Sequence, residues 1–247
     1  MTDNRRKNSL RLISSIVAFV VCLAMVHSLS GNSEAQTFEQ EYSTRELRAK
    51  IQEDEHFAFE KEKELIRISI GMSARLSAAK MGLSIEKFVE NYDSWAQKQS
   101  NYEELKSNIS LGKDYFFTSN ENTEKLAVES ISSVDEKAFF YQIGRCQHSS
   151  CTEDVGDAYM TLNRVGADMK LSLGEMYTEM GQKEKAKQVY RSIITDYTGS
   201  AYASSVKKAE FALDDLKESM EEDMRQQKAT NKKKPTKKTS TNTQTTE

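Results

Sequence analysis

Cys146-Gln147-His148-Ser149-Ser150-Cys151 is the densest group of reactive side chains in the sequence. Three chemistries use such a set: a structural disulfide, a redox pair, or a metal site completed by His148. The spacing is neither C-x-x-C nor C-x-x-C-H, so it matches neither a thioredoxin-like centre nor a c-type haem attachment. A disulfide between Cys146 and Cys151 is the expected state if the chain is exported to an oxidising compartment. Elsewhere the reactive residues are scattered. His56 sits among Asp54, Glu55 and Glu60 with no second His or Cys at helical spacing, so it reads as solvated rather than metal-bound. S-x-x-K occurs at Ser77–Lys80, Ser84–Lys87 and Ser204–Lys207, without the K-T-G or S-D-N partners that would make it a nucleophile site. H-E-x-x-H, G-x-S-x-G, a phosphate loop and a dinucleotide fingerprint are all missing. No catalytic residue, cofactor site or metal site is expected, and the chain reads as a non-enzyme.

The strongest pattern lies in Gly166 to Ser200. Met169, Leu173, Met176, Tyr177 and Met180 form one apolar helical stripe. Gly181 ends that helix through a positive φ. Ala186, Val189, Tyr190, Ile193, Ile194 and Tyr197 repeat the stripe on a second helix. Small residues at Gly174 and Ala186 let the two helices approach closely.

The spacing of Leu173, Gly174, Tyr177, Ala186 and Tyr190 resembles a tetratricopeptide repeat. Lys170 and Thr198 depart from it, standing where Trp or Leu and where Pro are usual. The string from Tyr197 to Leu213 is similar to repeat junctions of two bacterial envelope families, the Tol-Pal-associated division coordinator and the lipoprotein of the barrel-assembly machinery. The resemblance implies a groove for a protein partner, lined by exposed residues of the first helix such as Lys170, Glu175 and Glu179. Glu153 to Val165 reads as another helix. Residues 137–165 are thus a candidate degenerate helical pair ahead of the repeat.

The elements around this unit are helical too. The chain has one proline and ten glycines in 247 residues, and strand signals are absent. In the charged segment 36–82, Ile51, Ala58, Leu65, Met72 and Ala79 recur as one heptad position, with a mixed partner position of Leu47, Asp54, Lys61, Ile68 and Arg75. A coiled coil wants both positions apolar, so the pattern predicts an amphipathic helix packed on the body, with homotypic pairing as the alternative. Met81 to Ser84 is a stop and restart, with Ser84 as N-cap. Ile85, Phe88, Val89, Tyr92 and Trp95 form a stripe expected in the core, and Tyr102, Leu105 and Ile109 continue it. Ser119 to Thr123 reads as a polar loop. Leu126, Val128, Ile131, Val134, Phe139, Phe140 and Ile143 read as the next apolar pattern. Tyr202, Val206, Ala209, Leu213, Leu216 and Met220 predict a terminal capping helix.

The fold class is therefore all-α: helical hairpins with a short TPR-like stack in the carboxy-terminal half, preceded by a long amphipathic helix. The expected divisions are 1–35, 36–82, 83–135, 136–225 and a disordered Lys/Thr-rich tail at 226–247. The first division has a positive flank (Arg5, Arg6, Lys7, Arg11), an apolar run from Leu12 to Leu29, and Ser33-Glu34-Ala35 before Gln36. That is the layout of a signal peptide cleaved after Ala35, or of an uncleaved anchor. Both place the body outside the cytoplasm, in the bacterial periplasm or envelope. The net charge of -3 hides an acidic body of about −10 between residues 36 and 225. Such a body does not suggest nucleic-acid binding, which needs a basic face. Membrane contact is expected only through the leader or the basic tail. The expected function is an exported protein–protein interaction module. The alternatives are a self-associating structural protein and a redox factor centred on Cys146 and Cys151.

Overall fold

The computed structural model describes residues 44–143 and 149–232. The leader, Cys146, His148 and residues 233–247 lie outside the described residues. Among those described there is no strand, and the class is all-α. The α-helices are α1 (Thr44–Lys80), α2 (Ile85–Ala96), α3 (Tyr102–Leu111), α4 (Asn120–Ile143), α5 (Ser149–Glu179), α6 (Lys183–Asp196) and α7 (Ala203–Lys232). Short 3-10 turns at Lys113–Tyr115 and Ser200–Tyr202 join α3 to α4 and α6 to α7.

Side-chain pairs define the directions. Asp54 on α1 meets Tyr141 and Lys137 on α4, while Arg75 meets Asn120, so α1 and α4 run antiparallel. Lys170–Asp135 and Tyr177–Glu124 make α4 and α5 antiparallel. Gly174 against Tyr190 does the same for α5 and α6, and Lys183 against Ser219 for α6 and α7. Helices α1, α5 and α7 therefore share one direction and α4 and α6 the other. α5 is the hub and touches α1, α4, α6 and α7.

Of the amphipathic helix expected within 36–82, Thr44–Lys80 is present as α1 and packs on the body, and residues 36–43 lie outside the described residues. Leu47, Ile51, Ala58, Leu65, Ile68 and Met72 are buried, and Ala79 is exposed. Asp54 shares that buried face although it is charged: it is only 3% exposed. It accepts from Lys137 Nζ at 2.5 Å and Tyr141 Oη at 2.9 Å, with Lys50 Nζ at 3.1 Å. A buried carboxylate needs such partners, and here they weld α1 to α4.

Four readings are corrected. The helix expected at 153–165 and the first helix of the repeat are one 31-residue helix, α5. Within the candidate pair at 137–165, residues 137–143 are the end of α4 and residues 149–165 the start of α5. The pair that precedes α5–α6 is instead α1 with α4, separated in sequence by α2, α3 and a 3-10 turn. The polar stretch Ser119–Thr123 opens α4, with Ser119 Oγ accepting from Asn122 N at 3.2 Å. Residues 226–232 continue α7 rather than starting a tail.

The α2–α3 insert has little to pack on. Ile85 joins Ala74 and Ala78 in a small second core with Phe88, Val89 and Phe116, whereas Trp95 is 50% exposed. The expected aromatic core stripe is thus covered only at its amino-terminal end. The insert is held to α1 where Gly71 meets Gly112: a Cβ on either would lie 2.6 Å from Gly112 O or 2.5 Å from Gly71 N.

Candidate groove on α1, α5 and α7

α1 and α5 lie in parallel register at a constant sequence offset. Arg48 Nε donates to Asp154 Oδ2 at 2.9 Å near one end, and Ser73 Oγ donates to Glu179 Oε2 at 2.5 Å near the other, both 106 residues apart. Midway, Glu62 and Asp168 stand at the same offset, close enough to repel. On the far side, Ser205 Oγ of α7 donates to Asp168 Oδ1 at 2.6 Å. The three parallel helices thus form one surface, floored by α5 and walled by α1 and α7.

The helical period explains which residues line it. On α1, Gln52, Glu55, Phe59, Glu62, Ile66, Ser69 and Ser73 recur at gaps of three and four, on the face that meets α5. Phe59 and Ile66 are 37% and 45% exposed on that stripe. At the Arg48 end the surface deepens to about 790 Å³, lined by Arg45, Gln52, Glu55, Asp157 and Ala158 among others. From the midpoint toward the other end, carboxylates gather. Burial and the charge of Asp168 push the Glu62 carboxyl up, against the pull of Arg164. The surrounding protein and the charge of Glu179 push Glu175 up, against Lys208. Glu62 thus has Asp168 and Arg164 as charged neighbours, and Glu175 has Glu179 and Lys208; in each case burial and the neighbouring carboxylate outweigh the cation.

Of the three groove residues expected from the sequence, Glu175 and Glu179 line this surface and Lys170 does not. Five residues turn a helix by about 500°, so Lys170 points about 140° away from Glu175. There it forms an ion pair with Asp135 Oδ2 at 2.9 Å and donates to Tyr197 Oη at 2.8 Å. Its ammonium also lies 5.0 Å from the Tyr197 ring centroid. Burial alone would lower its pKa, but Tyr197 and Asp135 outweigh burial and raise it. Lys170 is thus a latch between α4, α5 and the end of α6. It floors a separate cleft of about 450 Å³ lined by Phe139, Tyr159, Met160 and Tyr202 among others.

The repeat-motif residues position α5 against α6. Leu173, Tyr177, Ala186 and Tyr190 are buried. Gly174 is required by contact, since a Cβ there would lie 2.3 Å from Tyr190 Cε1. Gly181 takes φ 74°, and Gln182 N reaches back to Tyr177 O at 2.8 Å, which closes α5. Tyr177 Oη donates to Glu124 Oε1 at 3.1 Å. Burial and the Glu124 carboxylate push its hydroxyl up to about 12.

The remaining sequence candidates do not converge on the groove. Cys151 lies in the first turn of α5, and Cys146, its expected disulfide partner, lies outside the described residues. Ser84 caps α2 by accepting from Lys87 N at 3.3 Å. Among the described residues, no group of three His, Cys, Asp or Glu side chains is placed to hold a metal ion, and no helix is long and apolar enough to cross a membrane.

Sequence reasoning missed Glu62, Asp168, Ser73 and the role of α1. The available signal is the stripe from Gln52 to Ser73, whose spacing alone does not separate it from the solvated back of an amphipathic helix. Comparison of the chain with protein-family models, curated proteins and solved structures finds no match.

Proposed function

We propose that the chain is a non-enzymatic interaction module of the bacterial cell envelope, which captures a segment of a partner protein in the α1–α5–α7 groove. One observation carries this reading. Three parallel helices from distant parts of the chain build a continuous groove, with Phe59 and Ile66 exposed along it and the Glu62 and Glu175 carboxyls held above their ordinary values between its midpoint and one end. Exposed apolar residues beside a polar rim are what a docking segment covers. The motif spacing of Leu173, Gly174, Tyr177, Ala186 and Tyr190 supports a TPR-like organisation, with α1/α4 and α5/α6 as successive pairs and α7 as the cap. The envelope location rests on the amino-terminal leader pattern.

Crosslinking in whole cells tests the proposal. A photo-reactive side chain at Ile66 is expected to trap a discrete protein partner, and one at Lys187 on α6 is not. Equal trapping at both positions, or at neither, contradicts the proposal.

A further inference from the structure

Phe59 and Ile66 are seven residues apart on α1, which sets them about 10 Å apart along the groove. The constant offset of 106 residues fixes what lies across from each position. Glu62, between the two apolar residues, is level with Asp168, while Ser69 and Ser73 are level with Glu175 and Glu179. At the levels of Gln52, Glu55 and Ile66 the floor carries Ala158, Thr161 and Ser172, small side chains over which another helix can pack closely. Apolar positions and carboxylates therefore follow one another along the groove at gaps of three and four, the period of one helix face. The charges lean one way. Arg45 and Arg48 stand with Glu55, Asp154 and Asp157 at the deep end. Arg164 and Lys208 accompany Glu62, Asp168, Glu175 and Glu179 beyond it. In both stretches these carboxylates outnumber the cations.

We propose that the segment captured in the groove is a basic amphipathic helix, which sets two apolar side chains seven residues apart on Phe59 and Ile66 and places basic side chains between and beyond them, against Glu62, Asp168 and Glu175. Shape and the exposed apolar pair choose the site, and the order of charges decides what fills it. Backbone chemistry selects a helix over an extended segment. The walls are helices whose N–H and C=O groups are bonded internally, so they offer no edge for strand addition. An extended segment would bring one N–H and one C=O per residue to be paired by groove side chains, whereas a helix pairs its own. The inference rests on the groove as the docking surface and adds the kind of segment that docks.

Fluorescence anisotropy with the full chain and a labelled synthetic peptide tests it. The probe is an alanine-based helix of about 20 residues. It carries two leucines at the Phe59-to-Ile66 spacing and lysines at the intervening and flanking positions of the same face. Three control peptides replace the leucines by alanine, replace the lysines by glutamate, or place a proline between the leucines to break the helix. Each control should bind at least about tenfold more weakly than the probe. The Glu62→Lys/Glu175→Lys protein should reverse the preference between the lysine and glutamate peptides. A photo-reactive residue in place of one leucine should crosslink to α1 or α5 beside Phe59 or Ile66. Equal binding of the leucine-free peptide shows only general attraction to an acidic body and overturns the proposal. Equal binding of the proline or glutamate peptide overturns it too, as do crosslinks confined to the α2–α3 insert. Partner trapping at Ile66 in cells is read separately. A discrete partner there, with the probe no tighter than its controls, removes the basic helix and leaves the groove standing. Absence of trapping removes the groove itself.

Discussion

Replacing Asp54 by alanine tests whether α1 and α4 are held as one pair. The carboxylate serves three donors: Lys137, Tyr141 and Lys50. The Tyr141 hydroxyl is buried and loses the partner shown for it, which costs about 1–3 kcal/mol. Lys137 and Lys50 have side chains 30% and 36% exposed, so both turn to water and their share is small. Relief of the carboxylate's own desolvation offsets part of the loss. The net expectation is a destabilisation of about 1–2 kcal/mol. For a chain of this size that lowers the melting temperature by about 2–8 °C, read by circular dichroism at 222 nm. Tyr141→Phe alone should cost about 1 kcal/mol, and the double variant should show a coupling of about 1 kcal/mol.

The pH dependence carries its own sign. Burial raises the Asp54 pKa, but hydrogen bonds from Lys137, Tyr141 and Lys50 outweigh it and hold the folded value below the ordinary one. The contribution is therefore present above about pH 4 and lost as pH falls through the lower folded value. The advantage of wild type over Asp54→Asn should shrink in that window. A melting temperature unchanged by Asp54→Ala, or zero coupling to Tyr141, refutes the reasoning.

Gly174→Ala should destabilise by about 1–3 kcal/mol, because its Cβ would overlap the Tyr190 ring, and Tyr190→Leu in the same chain should restore part of the loss in urea titrations. Lys170→Met should lower stability by about 1 kcal/mol, because its ion pair with Asp135 is partly exposed, and a denaturant midpoint checks it. Combined Glu62→Gln and Glu175→Gln should raise the melting temperature while weakening capture at the groove. Both carboxyls are held above their ordinary values, so their ionisation at neutral pH opposes folding. Alkylation of the unfolded, unreduced protein should leave Cys146 and Cys151 unlabelled, and reduction should cost less than about 3 kcal/mol, as befits a short loop.

Much of the local structure is legible in the sequence because it depends on neighbours in the chain. Gly181 ends α5, Ser84 caps α2, and the stripe through Tyr202, Ala209, Leu213 and Leu216 places α7 on the body. What escapes the sequence depends on partners far along it. No local pattern shows that α1 sits 106 residues from its parallel neighbour on α5. On α4, small and polar residues face inward (Thr123, Ala127, Ser130, Ala138), while Leu126, Val128, Phe139 and Ile143 face outward. The apolar pattern read on size is therefore right at Ile131 and Val134, which are buried, and at Phe140, which packs on the core, and wrong at the four outward residues. Gly166 reads as a break between helices, yet it lies inside α5, where a Cβ would stand 3.0 Å from Asp135 Oδ1. Lys170 illustrates the same limit: its side chain is exposed in the repeat resemblance and latched under Tyr197 in the fold.

The most direct test of the groove is the affinity of the segment trapped at Ile66, measured by calorimetry against three full-length proteins. The account predicts that Glu175→Lys weakens binding by at least about tenfold through charge reversal at the carboxylate end, while Lys170→Met leaves it equal to wild type. Loss of binding in Lys170→Met with no effect of Glu175→Lys would contradict the account and move the binding surface to the other side of α5.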